Sequence, residues 1–204
     1  MTIYTFTPEF FFYTSIPNHQ EIKEKYLPRL QKDIEKRGFQ GYTSSGKTTF
    51  GLSHNKSLFD QDFVDTVIWK AFYQMMEELP LMYHKSKINY IEIQDVWYNY
   101  YANGHICRPH RHLKSSFSAI YLLHLEEENG TCFLPTLDIA NHSHIMYDNY
   151  AHTKSCKEGD VLIFPSSLMH YAEMSTKDRW VIVWNFSVPQ CTHNPNYNRE
   201  CHLS

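Results

Sequence analysis

The spacing of hydrophobic residues changes character near residue 88. Before that point apolar side chains recur at helical intervals. Beyond it they fall in short runs separated by turns that carry Gly and Asn. Ile22, Tyr26, Leu30 and Ile34 recur every fourth residue and mark one face of a helix. Asn18, with Glu21 three positions on, supplies a capping-box spacing for its start. Pro28 inside the pattern predicts a kink or a restart, and Gly38 predicts the end. A second helix is predicted over about 60–79, with Phe63, Val67, Phe72, Met75 and Leu79 as its apolar stripe and Pro80 as its stop. The stripe reads as core packing against a sheet. Residues 1–16 read as an extended segment rich in Phe and Tyr, and residues 38–57 as a polar loop.

From Ile88 onward the pattern predicts strands at 88–94, 96–101, 117–125, 131–134, 144–149, 161–164 and 180–187. Turn signals stand at Asn103-Gly104, Asn129-Gly130 and Glu158-Gly159. Short strands at regular spacing predict a barrel or sandwich. The expected architecture is one mainly β domain with N-terminal helices: 1–87 an extended segment and supporting helices, 88–188 the β core, 189–204 an irregular tail.

Composition narrows the function classes. At 204 residues and 42% hydrophobic the chain can bury a core of its own. A formal charge of -3 gives no electrostatic case for nucleic acid or an anionic membrane as partner. No apolar run approaches the ~20 residues of a membrane span. Residues 1–6 lack the basic region and cleavage site of a signal peptide. Five cysteines, Cys107, Cys132, Cys156, Cys191 and Cys201, form no close pair and read as free thiols in a reducing, cytoplasmic compartment.

One motif is a decoy. Gly41 to Thr48 matches the phosphate-loop string G-x-x-x-x-G-K-[ST]. Its chemistry needs a strand ending at the first Gly and a helix starting near the Lys. Here a charged helix end precedes it and no helix signal follows, so it reads as a polar loop.

The chemistry lies in three histidines. His110 and His112 are an i, i+2 pair, and His170 closes the segment that begins at Gly159. On a strand, i and i+2 side chains share a face. Two imidazoles there and a third from a distant strand suit a divalent metal with open positions. Arg179 follows nine residues after His170. Alternation places Arg179, Val181, Val183 and Asn185 on one face, and Trp97, Asn99 and Tyr101 on one face of the earlier strand. His142, His144 and His152 read as exposed, and His124 as a satisfied core histidine.

At these residues the chain resembles the prolyl-hydroxylase-like branch of the Fe(II)/2-oxoglutarate oxygenases. Tyr101-Ala102-Asn103-Gly104 is similar to its Tyr-x-x-Gly. Pro109-His110-Arg111-His112 stands where it has His-x-Asp. Phe117 to Leu122 resembles its next core strand, and Gly159 to His170 its turn, strand and distal histidine. The nearest likeness is to a phage and bacterial group of about this length with an H-x-H pair.

The resemblance implies a double-stranded β-helix (jelly-roll, cupin-like) packed by two helices, and a dioxygenase using Fe(II), 2-oxoglutarate and dioxygen. Its substrate would be a protein or a small molecule. His110, His112 and His170 would hold iron, and Arg179 would pair with the distal carboxylate of 2-oxoglutarate. Asn185 and Asn99 would be polar contacts. The family's second core-strand Tyr is Leu122 here, so Tyr101 or Tyr121 would take its place. His112 stands at the carboxylate position, so Asp138 or Glu126 is an alternative ligand. Two other readings compete: a three-histidine cupin enzyme such as a thiol dioxygenase, since Gly104 to His112 fits G-x5-H-x-H, and a non-catalytic module on the same barrel.

Overall fold

The computed structural model describes residues 10–37, 46–52, 55–78, 91–134, 153 and 155–188. Among these, strands build two antiparallel sheets. The larger has the order β1-β7-β5-β9-β3-β2, with β1 Phe12–Ser15, β2 Lys47–Thr48, β3 Glu92–Tyr101, β5 Phe117–Leu125, β7 Asp160–Pro165 and β9 Arg179–Ser187. The smaller has the order β4-β8-β6, with β4 Cys107–His110, β8 Met169–Ala172 and β6 Thr131–Leu134. This is the expected double-stranded β-helix with helices on one side.

Side-chain alternation divides the large sheet between two tasks. On β9, Trp180, Ile182, Trp184 and Phe186 pack into the cluster shared with the helices. Val181 and Val183 face the other cluster, together with Trp97, Tyr101, Leu162, Phe164 and Ala172, so that side lies between the sheets. Because both faces are covered, β9 reads as a continuous apolar run with one buried Arg and one buried Asn.

Helix α1, His19–Arg37, buries Ile22, Tyr26 and Leu30 against this sheet. It runs through Pro28 as one helix. Pro28 is exposed, so the carbonyl left without its i+4 donor faces solvent. The second helix comprises α3 Gln61–Phe63, a π-helical stretch Val64–Ile68 and α4 Trp69–Glu78. Asp60 caps it by accepting from the Phe63 amide. Phe63, Val67, Phe72 and Met75 are buried as the stripe predicts. The π stretch, which buries Val64, Val67 and Ile68, has no signature in the spacing.

Two further expectations change. The strands expected at 88–94 and 96–101 are one strand, β3, with a bulge between Ile93 and Asp95. A bulge shifts the alternation by one residue, and on the page that looks like a strand boundary. The polar loop contains β2 and a short helix α2, Asn55–Leu58. Lys47 and Thr48 pair with Tyr100 and Asn99 as an edge strand, so the phosphate-loop string has a strand where a helix N-terminus is required. The expected strand at 144–149, the tail after 188 and residues 1–9 lie outside the described residues. So do His142, His144 and His152. Cys107, Cys132 and Cys156 are free thiols. Among the described residues no helix is long and apolar enough to cross a membrane.

Glu158 clasps helix to sheet. Its carboxylate meets Lys23 Nζ at 2.5 Å, His19 Nε2 at 3.2 Å, His124 Nδ1 at 3.0 Å and the Leu125 amide at 2.8 Å. His124 is thereby satisfied near the end of β5. Burial alone would raise the Glu158 pKa, but the bonds from Lys23, Leu125, His19 and His124 hold it at about 2. A carboxylate depressed in the folded state adds stability that is complete above its ordinary range and lost as pH falls toward its folded pKa. Glu158→Gln is therefore expected to cost about 1–2 kcal/mol at neutral pH. It should also flatten the acid limb of the stability curve between roughly pH 5 and 2. Thermal melts across that range check this, and an acid limb identical to wild type would rule out the clasp.

Candidate metal centre

The three histidines converge by two different routes. His110 and His170 face each other across β4 and β8. Directly opposed residues of an antiparallel pair project together, and their ring centroids are 4.3 Å apart. His112 is not on the strand, because β4 ends at His110. The strand-parity argument for the pair therefore fails. The chain instead folds back onto the β7–β8 turn, where the His112 amide donates to the Ser166 carbonyl at 2.8 Å. Trp97 stacks on the His112 ring at 5.6 Å and 23°. The candidate ligand atoms of His110, His112 and His170 all lie within 4.8 Å of one another.

Hydrogen bonds set which nitrogen is available. His110 Nδ1 lies 2.9 Å from the Arg108 carbonyl, and His170 Nδ1 lies 3.0 Å from the Leu168 carbonyl. A carbonyl only accepts, so both rings carry their proton on Nδ1 and keep the Nε2 lone pair for a metal. His112 Nδ1 meets Asn185 Nδ2 at 3.1 Å, and its Nε2 is buried with no hydrogen-bond partner. Burial, then the neighbouring His110, holds His112 at about 4 and His170 at about 3. Both rings are thus neutral near pH 7, the form that ligates. At His110 burial pulls downward, but the hydrogen bond and charge of Cys107 outweigh it and the pKa is raised.

These rings line a cavity of about 1120 Å³ between the sheets. Tyr101, Asn99, Trp97, Arg179, Val181, Val183 and Asn185 line it too. The register explains this: Tyr101 pairs with Arg179, Asn99 with Val181 and Trp97 with Val183. Arg179 is 1% exposed. Its guanidinium sits 4.5 Å from the Tyr101 ring centroid and donates to the Glu173 carbonyl at 3.3 Å, while Nε has no partner. Burial lowers its pKa, opposed by Tyr101, Glu127, Cys107 and Glu173, and a guanidinium stays charged. Gly130 makes room for it, since a Cβ there would lie 2.3 Å from Arg179 Nη1.

Two of the expected contacts are elsewhere. Tyr121 shares the parity of Ala119 and Leu123, packs toward the helices and meets His19 Nδ1 through its hydroxyl at 2.7 Å. It is not in the cavity. Tyr101 is a hydroxyl-bearing side chain there, with burial raising its pKa so that it stays protonated. Glu126 points to His124 Nε2 at 3.7 Å, on the clasp side, and does not join the histidines. Asp138 lies outside the described residues. Sequence reasoning passed over Ser118 and Ser166, both fully buried beside Asn185. Parity with Ile120, which lines the cavity, is the signal that places Ser118.

The donor set fits a metal and an oxo acid. Three imidazoles suit iron. His112 Nε2 and Arg179 Nε are buried polar atoms that lack partners, and a metal and a carboxylate would satisfy one each. Residues 95–185 match the family model described as "Putative 2OG-Fe(II) oxygenase". No curated protein sequence matches the chain. Among solved structures, the non-heme alpha ketoglutarate dependent epimerase SnoN from nogalamycin biosynthesis is 12% identical, with a TM-score of 0.54 over 85% of this chain and 76% of that one. The viral collagen prolyl hydroxylase vCPH from Paramecium Bursaria Chlorella virus-1, in its 2OG complex, is 12% identical, with a TM-score of 0.50 over 88% and 96%. At such identity these two likenesses speak for the fold alone. The likeness to the 2OG-Fe(II) oxygenase family model thus covers the part of the chain that carries the three histidines and Arg179.

Proposed function

We propose that this chain is an Fe(II)- and 2-oxoglutarate-dependent dioxygenase that hydroxylates a C–H bond of a protein or small-molecule substrate. Of dioxygen's two atoms, one enters the product and one enters succinate, with carbon dioxide released. The observation that carries this reading is the sharing of one cavity by three clustered imidazoles and a buried guanidinium.

His110, His112 and His170 would hold the iron, which supplies redox chemistry and open coordination positions. The chain's own residues do the rest. Arg179 binds a carboxylate through forked N–H donors. Its stacking on Tyr101 and its bond to Glu173 fix the fork before the co-substrate arrives, which lowers the ordering cost of binding. Tyr101 offers a protonated hydroxyl, and Asn99 Oδ1 a buried acceptor without a partner. Val181, Val183 and Trp97 give that face an apolar lining that favours charge pairing. The same three histidines would serve a cupin-type thiol dioxygenase, but that reaction consumes no 2-oxo acid and so does not require Arg179.

The test is succinate formation from 2-oxoglutarate by anaerobically reconstituted protein on exposure to air. Turnover is expected to require both iron and 2-oxoglutarate, with slow uncoupled turnover when no substrate is added. Absence of 2-oxoglutarate binding in the iron-loaded protein would rule the reading out.

A further inference from the structure

The position that carries a carboxylate in the resembling enzymes is His112, a neutral ring with two tautomers. Only the tautomer protonated on Nδ1 leaves Nε2 free to ligate. Unlike His110 and His170, His112 has no backbone carbonyl at Nδ1; it has the side-chain amide of Asn185 at 3.1 Å. We propose that Asn185 is a positioning residue that sets the tautomer of His112 and so makes that ring a ligand. The inference rests on the metal-dependent reading above.

Asn185 Nδ2 faces His112 Nδ1, and Oδ1 accepts from Ser118 Oγ at 2.7 Å. An amide NH2 only donates. In this orientation Nδ1 is the acceptor and the ring proton sits on Nε2, which is buried without a partner. That leaves a buried donor unpaired and no lone pair for a metal. Turning the amide over exchanges two nearly isosteric ends. Oδ1 then accepts the Nδ1 proton, Nε2 keeps its lone pair, and Nδ2 donates to Ser118 Oγ.

The surroundings permit that reversal. Ser118 Oγ also meets Ser166 Oγ at 2.9 Å, which meets Ser115 Oγ at 2.8 Å. Each hydroxyl contact works in either direction. The chain can therefore reverse as a unit, with no bond lost and no charge buried. Ser118 and Ser166 are fully buried and Asn185 is 5% exposed. The stack on Trp97 holds the plane of the ring, so the amide acts on the tautomer rather than on where the ring lies. Asn185 thus occupies the place of an outer-shell partner of the metal, not of a contact to 2-oxoglutarate.

Zn(II) is the probe, on the full chain, with affinity by calorimetry and ring protonation by 15N-resolved NMR. Zn-loaded wild type is expected to carry its His112 proton on Nδ1. Asn185→Leu should weaken Zn(II) binding by roughly 10- to 100-fold. Asn185→Asp, which can only accept, should restore it to within a few-fold, a rescue that a merely structural role would not give. Ser118→Ala, which leaves the amide in place but unties it, should shift the His112 tautomer and provides the answer should Asn185→Leu fail to fold. Wild-type Zn(II) affinity in Asn185→Leu, or a Zn-loaded His112 without a proton on Nδ1, overturns the assignment and leaves the metal centre standing. Wild-type protein that binds no Zn(II) overturns both.

Discussion

Arg179→Leu is expected to abolish 2-oxoglutarate binding at working concentrations while leaving the metal bound. The guanidinium is buried beneath the cavity and stacked on Tyr101. Removing one partner of a buried charge pair costs about 3 kcal/mol, roughly 100-fold in affinity. Leucine keeps the bulk, so the fold should tolerate it. Arg179→Lys should recover little, because an ammonium cannot reproduce the planar fork. Gly130→Ala provides an independent check from the other side of the same contact. Its methyl would meet Arg179 Nη1 at 2.3 Å and displace the guanidinium without touching a histidine. It should weaken 2-oxoglutarate by roughly tenfold and metal hardly at all. Calorimetry with 2-oxoglutarate on metal-loaded protein measures all three variants. Undiminished affinity in Arg179→Leu would remove Arg179 from the site and leave the cavity wall open to the thiol-dioxygenase reading.

The second large effect is loss of the metal. His170→Ala takes the most buried of the three imidazoles from the middle strand of the small sheet. Outer-shell changes around a metal typically cost roughly 10- to 100-fold in affinity, and loss of a direct ligand should exceed that. The same linkage gives a stability readout. Metal at about a hundred times its dissociation constant raises wild-type stability by about 2.7 kcal/mol. His170→Ala should show no such rise, although its metal-free melt is a little lower from the space the ring leaves. A metal-dependent rise that persists in His170→Ala would place the metal elsewhere.

The outline of the fold was legible because the apolar spacing changes once and the strands are short and well punctuated. Phe117–Leu125 and Thr131–Leu134 have the predicted ends. The two helices show their buried stripes, and only the π stretch passes unnoticed, since it slides the helical period by a single residue. The site was legible as residue types in order, not as geometry. Arg179, Asn185, Asn99 and Tyr101 fall on the cavity side because alternation is reliable along the part of the β3–β9 pair beyond the bulge. Tyr121 was misassigned for the opposite reason. Every residue from Phe117 to Leu123 is buried, so no polar face reveals which parity looks inward. His112 was placed at the right centre by the wrong argument, since a hydrogen bond to Ser166, not strand parity, brings it there. Such long-range contacts leave no local mark on the sequence.

The alternation of β9 has a practical consequence. From Arg179 to Phe186 its odd-numbered residues meet the cavity and its even-numbered residues join the core cluster with the helices. Substitutions that reshape the cavity can therefore fall on Val181 and Val183 while Ile182 and Trp184 keep the scaffold folded. Those two valines are the positions at which to place a focused library. Replacing either by alanine widens the chamber beside the three histidines at the stability cost of a single core truncation. One strand thus separates the part of the protein free to diversify from the part that is not.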